Sequence, residues 1–193
     1  SISSSSTCCN RGWIAPASSR EISSSSSTSF DSESTAEPRL LASGSSGPER
    51  QEAKFPFLSA NVLRWNGSLL AEPYVIKEFD GFKVAVLGLT TPDTVNLELP
   101  QNLQDLTFAD EVAAARRFVP ELKRKADIVI ALTHLGIFDD DSSGSRRLAK
   151  EVPELDLIVD GHSHTRLDKP LYVGNVPIVQ AWQWGLLLGE GVA

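Results

Sequence analysis

The sequence predicts an α/β fold built on a parallel sheet, preceded by a serine-rich segment with no core of its own. Three observations carry this. Two continuous apolar runs, "DIVIALT" (127–133) and "LDLIVD" (155–160), read as strands buried on both faces. A shorter helical stretch separates them, and such a crossover is right-handed and makes its two strands parallel. Upstream, residues 1–50 hold 18 serines and no apolar period, so they cannot bury enough surface to offset the entropy of ordering.

The elements follow in order. Residues 1–54 are read as a disordered serine-rich leader or linker, with "SGSSGP" (43–48) as its flexible end, and residues 55–193 as the folded part. "FPFLSANV" gives a short apolar strand ending near Asn61. "PYVIKEF" and "FKVAVLGL" are two strands joined by Asp80-Gly81, a two-residue hairpin signal. Thr107 followed by Asp110 predicts a helix N-terminus, after which Phe108, Val112, Ala115, Val119 and Leu122 fall at helical spacing. Pro120 is expected to kink or split that helix. A second helix is predicted around Ser145 to Glu151, closed by Pro153. "LYVGNVPIVQA" and "GLLLGEGVA" are expected to be strands around Gly174-Asn175 and Gly185.

Composition narrows the function. The chain has 193 residues, 41% of them hydrophobic, a net charge of -7 and a pI near 5.0. That balance argues against binding a nucleic-acid polymer, which calls for a basic face. It leaves a small phosphorylated substrate open, because a bound cation reverses the local field. No apolar run approaches the ~20 residues of a membrane-spanning helix. Cys8 and Cys9 are the only cysteines, so neither a disulfide framework nor a cysteine zinc site is expected. Beginning at Ser1 and lacking methionine, the chain reads as a processed or partial form.

The candidate chemistry is histidine. The sequence holds three, His134 in "IALTHLGIF" and His162 and His164 in "LIVDGHSHT". In a parallel βαβ unit both strands end on the same edge of the sheet, the edge where open α/β sheets bind ligands. His134 and His162 are thus expected to meet there, with His164 beside them on an extended loop. Gly136 and Gly161 allow the chain to bend into the site. Neutral imidazoles suit Zn, Mn, Fe, Co or Ni, and three converging histidines predict a metal site. Asp139-Asp140-Asp141 reads as a solvated turn, Asp160 as a loop cap or a support behind a ligand, "QAWQWG" as packing, and Asn61 as a strand-end polar residue without chemistry.

The segments "FPFLSANV", "VAVLGLTTPDT", "IVIALTHLGI", "LDLIVDGHSHT" and "PIVQAWQWG", in this order, resemble the 5′-nucleotidase branch of the calcineurin-like metallophosphoesterases. The resemblance covers about residues 55 to 192. It implies a four-layer α/β/β/α sandwich, present here in part, and a dinuclear divalent-metal centre. It makes His134 and His162 ligands of one metal and gives His164 to the other. It implies hydrolysis of phosphoric esters, with nucleotide dephosphorylation first and a nucleotide as substrate. It also suggests an extracytoplasmic location. Residues 1–54 contain no histidine and none of the family's Asp-x-His, Gly-Asp and Gly-Asn-His motifs. The chain is therefore expected to be the second half of a catalytic domain and inactive alone, with no catalytic residue assigned. The alternatives are a non-catalytic remnant or metal-binding module, or a related cyclic-nucleotide phosphodiesterase, UDP-sugar hydrolase or thiosulfohydrolase.

Overall fold

A computed structural model describes residues 2–4 and 53–191. The expectation of a disordered leader falls outside them, apart from β1 (Ile2–Ser4), whose backbone pairs antiparallel with β10 (Gly189–Gly191).

The centre is a six-stranded mixed sheet. β3 (Tyr74–Phe79) and β4 (Phe82–Thr90) form an antiparallel hairpin in which Phe79 faces Phe82. Asp80 at φ 51 and Gly81 at φ 85 are both left-handed, the conformation that matches a two-residue turn to the twist of its strands. β4 then pairs in parallel with β6 (Ile128–His134), β6 with β7 (Leu157–Val159), and β7 with β9 (Val176–Val179). β8 (Leu171–Val173) closes the far edge as an antiparallel partner of β9 across Gly174-Asn175. The sheet order is β3-β4-β6-β7-β9-β8. The predicted strand-helix-strand unit is thus present, with its strands parallel.

Alternation along the strands sorts side chains to the two faces. Ala85, Leu87 and Leu89, Val129 and Ala131, Ile158, and Val176 and Ile178 make one buried layer. It packs on Val112, Ala115, Val119 and Leu122 of α2 (Glu111–Lys125) and on Leu148 and Ala149 of α3 (Gly144–Glu151). The opposite face carries a smaller cluster of Val84, Ile130 and Val159, flanked by Val86, Ile128, Leu132, Leu157 and Val179. Continuous apolar strands were the sign of this two-sided sheet. Two further two-stranded sheets are described, β1 with β10 and β2 (Val62–Arg64) with β5 (Leu106–Phe108).

Several local expectations are corrected. "FPFLSANV" makes only a bridge from Leu58 to Glu72, and the strand, β2 (Val62–Arg64), begins where it was expected to end. Gly88 explains the path. A Cβ there would lie 2.4 Å from the Leu58 carbonyl oxygen, so 58–60 crosses directly over the β4 backbone, and the Ala60 N–H donates to Gly88 O at 2.8 Å. Thr107 does not cap a helix. It lies with Phe108 in β5 (Leu106–Phe108), which pairs with β2. The cap is Asp110, whose Oδ1 accepts the Ala113 N–H at 2.7 Å. Pro120 does not split α2, which runs unbroken from Glu111 to Lys125 with the proline inside it. The sequence around Gly185 is a turn with φ 69, and β10 starts only at Gly189. A short α1 (Thr94–Leu97) and a 3-10 turn (Pro100–Asn102) lie between β4 and β5.

Candidate metal centre at the strand ends

β6, β7 and β9 end on one edge, and each apolar run closes on a polar residue there: Thr133-His134, Asp160 and Gln180. His134 is the last residue of β6, and its ring lies edge-on to that of His162, with centroids 4.8 Å apart and planes at 60°. The two predicted partners, 28 positions apart, are therefore brought together. Phe138 closes one flank, 6.3 Å from the His162 ring. His164 is exposed and faces Trp184, with ring centroids 6.1 Å apart.

The loop bearing the last two histidines is not extended. His162 has φ 79 and His164 φ 51, and Trp182 and Trp184 on the neighbouring loop have φ 65 and 57. Non-glycine residues held in this region cost about 1–3 kcal/mol each and persist only where surroundings impose them. Gly136, at φ 86, is required twice over, since a Cβ there would lie 2.8 Å from the Phe138 ring and 3.1 Å from His162 Cδ2.

A buried polar network imposes the loop. Asp160, 3% exposed, accepts on Oδ1 from Thr133 Oγ1 at 2.7 Å, Leu135 N at 2.9 Å and Gly136 N at 3.3 Å. Gln180, also 3% exposed, donates through Nε2 to Gly161 O at 2.7 Å and to Asp160 Oδ2 at 3.4 Å. Its Oε1 accepts from Ser163 Oγ at 3.1 Å and from the Thr165 N–H. Ser163 Oγ in turn accepts the Ile137 N–H at 2.9 Å. Burial pushes the Asp160 carboxyl above its ordinary range, against the pull of the Leu135 amide and the Thr133 hydroxyl.

Burial, assisted by the neighbouring His162, holds the His134 imidazole well below its ordinary pKa. It is therefore neutral at pH 7, the form that offers a ring nitrogen to a cation. Two imidazoles in contact at the ligand-binding edge fit a divalent ion as part of its donor set. Among the described residues no group of three or more His, Cys, Asp or Glu side chains lies close enough to hold one. The triple-aspartate run is a solvated turn, as expected: Asp140 Oδ1 accepts from Ser142 N at 3.0 Å and Oγ at 2.7 Å, and Asp141 pairs with Arg146 at 2.9 Å. Asn61 is a structural clamp. Its Nδ2 donates to Thr90 O at 2.7 Å and Ala109 O at 2.9 Å, and its Oδ1 accepts the Thr90 N–H at 2.9 Å. Gln180 was missed by sequence reasoning. The available signal was its place as the polar end of "PIVQ", the same place that Asp160 takes in "LIVD".

No protein-family model matches the chain. Individual proteins do. The 5′-nucleotidase of Vibrio cholerae serotype O1 is 34% identical over 169 residues, covering 74% of this chain and 31% of that protein. The 5′-nucleotidase precursor of Thermus thermophilus superposes with a TM-score of 0.61 at 32% identity, covering 72% of this chain and 30% of that one. The calcineurin-like phosphoesterase YfkN of Bacillus subtilis gives a TM-score of 0.59 at 30% identity, covering 69% of this chain and 48% of that one. The chain thus spans about a third of the length of the curated relatives it matches. With more than 30% identity over nearly three quarters of its length, the chain belongs to the 5′-nucleotidase branch of the calcineurin-like metallophosphoesterases.

Proposed function

We propose that this chain supplies part of the active site of a metal-dependent phosphoric-ester hydrolase of the 5′-nucleotidase type, acting on nucleotides. The observation that carries the reading is the contact of His134 with His162 at the ends of adjacent parallel strands, in a chain related to proteins named 5′-nucleotidase. His134 and His162 would hold one divalent ion and His164 would serve a second. Bound divalent ions lower the pKa of a water and neutralise phosphoryl oxygens during in-line attack. The chain's own contribution is geometric. β6 and β7 fix the spacing of the two rings, burial keeps His134 unprotonated, and Phe138 walls the His162 ring from one side. Residues 55–193 form the partial catalytic domain in this reading. Among the described residues no helix is long and apolar enough to cross a membrane. The extracytoplasmic assignment belongs to the same proposal and rests on resemblance.

Two imidazoles leave a cation's charge uncompensated, so residues 1–193 alone are expected to bind one divalent ion and to release phosphate slowly. The test is calorimetric titration of the chain with Zn²⁺, Mn²⁺ and Co²⁺, followed by assay of phosphate release from AMP. The expected result is uptake that is lost in His134→Ala and in His162→Ala, with turnover under ~1 s⁻¹, the low end of typical enzyme values. Absence of uptake, or uptake indifferent to both substitutions, overturns the reading. Faster turnover that disappears in the two variants keeps the hydrolase and overturns the ligand count.

A further inference from the structure

We propose that Asp160 and Gln180 are positioning residues that staple the ends of β6, β7 and β9 into one rim and thereby hold the His134 and His162 rings in contact. Neither residue makes its described hydrogen bonds to an imidazole. Asp160 Oδ1 gathers Thr133, Leu135 and Gly136, the residues on both sides of His134. Gln180 gathers Gly161, Ser163 and Thr165, the residues that bracket His162 and His164. The two sets meet where Gln180 Nε2 reaches Asp160 Oδ2 at 3.4 Å, and again where Ser163 Oγ accepts the Ile137 N–H at 2.9 Å. Both carboxylate and carboxamide are almost fully buried, at 3% exposure each, so water cannot take over their bonds without opening the rim. The left-handed backbone of His162 and His164 needs an external constraint, and Gln180 is the side chain that grips the backbone on both sides of them.

The inference rests on the hydrolase reading only for what the rings are held to bind, so its test has a metal-free arm. In metal-free residues 1–193, ¹³C-edited NMR should show a cross-relaxation peak between the ring protons of His134 and His162. Asp160→Asn keeps the acceptor for Thr133 and Leu135 but turns a donor toward Gln180 Nε2, and Gln180→Ala removes the grip on the loop. Each should abolish the ring-to-ring peak while far-ultraviolet circular dichroism stays unchanged. Should Asp160→Asn fail to fold, Gln180→Ala and Thr133→Val carry the comparison. In the metal arm, Co²⁺ affinity followed by visible absorption should fall about 10–100-fold in the single variants, the size of effect typical for groups that support metal ligands. A ring-to-ring peak that is absent from the wild type, or unchanged in the single variants, overturns the positioning role. Wild-type protein that shows the peak but takes up no Co²⁺ overturns the metallohydrolase reading and leaves the positioning role standing.

Discussion

At the residue scale, Gly136 shows how tightly the candidate site is specified. It follows His134 by two positions, has φ 86, and leaves room for no Cβ between Phe138 and the His162 ring. Gly136→Ala is expected to destabilise the fold by about 1–3 kcal/mol, the cost of a strained non-glycine residue, and to displace the His162 ring. Urea unfolding measures the first effect and the His162 ring shifts in NMR the second. A change under a few tenths of a kcal/mol with unmoved shifts would show that the loop relaxes freely. His134 and His162 were legible as a pair because "THLG" and "DGHSH" each follow an apolar run, and runs joined by one helix end on the same edge. The direction of His164 was not legible. A His-x-His pair shares a side only on extended backbone, and both histidines here are left-handed, imposed by a glutamine 16 positions after His164.

At the element scale, α2 is tied to its neighbours at its first turn. Asp110 caps it and pairs with Arg147 of α3 at 2.8 Å, as does Glu111 at 2.8 Å. Burial alone would raise the Asp110 carboxyl, yet the Ala113 amide and Arg147 hold it below its ordinary value. A carboxyl depressed in the folded state stabilises above its unfolded pKa of about 3.9, and that contribution is lost as pH falls through the folded value. Asp110→Ala is therefore expected to cost about 1 kcal/mol at pH 7, as for other N-cap losses. The gap to wild type should close in the acid limb of a stability-against-pH series. A gap that persists below the folded pKa would show that the side chain acts through packing. Reading Thr107 as the cap failed because its residue type fits both a cap and a strand, and pairing with β2 decides between them. Pro120 misled for a related reason: burial of Val119 and Leu122 on either side keeps the helix together through a missing N–H.

At the scale of the whole molecule, the sheet was legible from the two apolar runs and the Asp80-Gly81 turn, whereas the crossing of 58–61 over β4 was not. That crossing depends on Gly88 and on Asn61, which is fully buried and bonds to both the end of β4 and the entry to α2. Nothing local in "SAN" announces such distant partners. Asn61→Ala would take that partner from the buried Thr90 amide and carbonyl and from the half-buried Ala109 carbonyl. A penalty of about 1–3 kcal/mol for each unsatisfied group is expected, read as a lowered urea midpoint. A midpoint within experimental scatter of wild type would show that water enters the gap.

The strand order has a consequence for time as well as for place. Within the six-stranded sheet only the pairs β3–β4 and β8–β9 are closed by short turns, and they form its two edges. Every pairing between them spans a longer loop or a helix, and long loops must close before such contacts form. Refolding should therefore run from the rims inward. In pulse-labelled hydrogen exchange, amides of the two hairpins such as Val86 and Val176 are expected to gain protection before Leu135 and Asp160. Protection of the latter pair first would reverse that order. The histidine edge is on this account the last part of the sheet to exist, so a cation that binds it would act on the finished fold and slow its unfolding without speeding its formation.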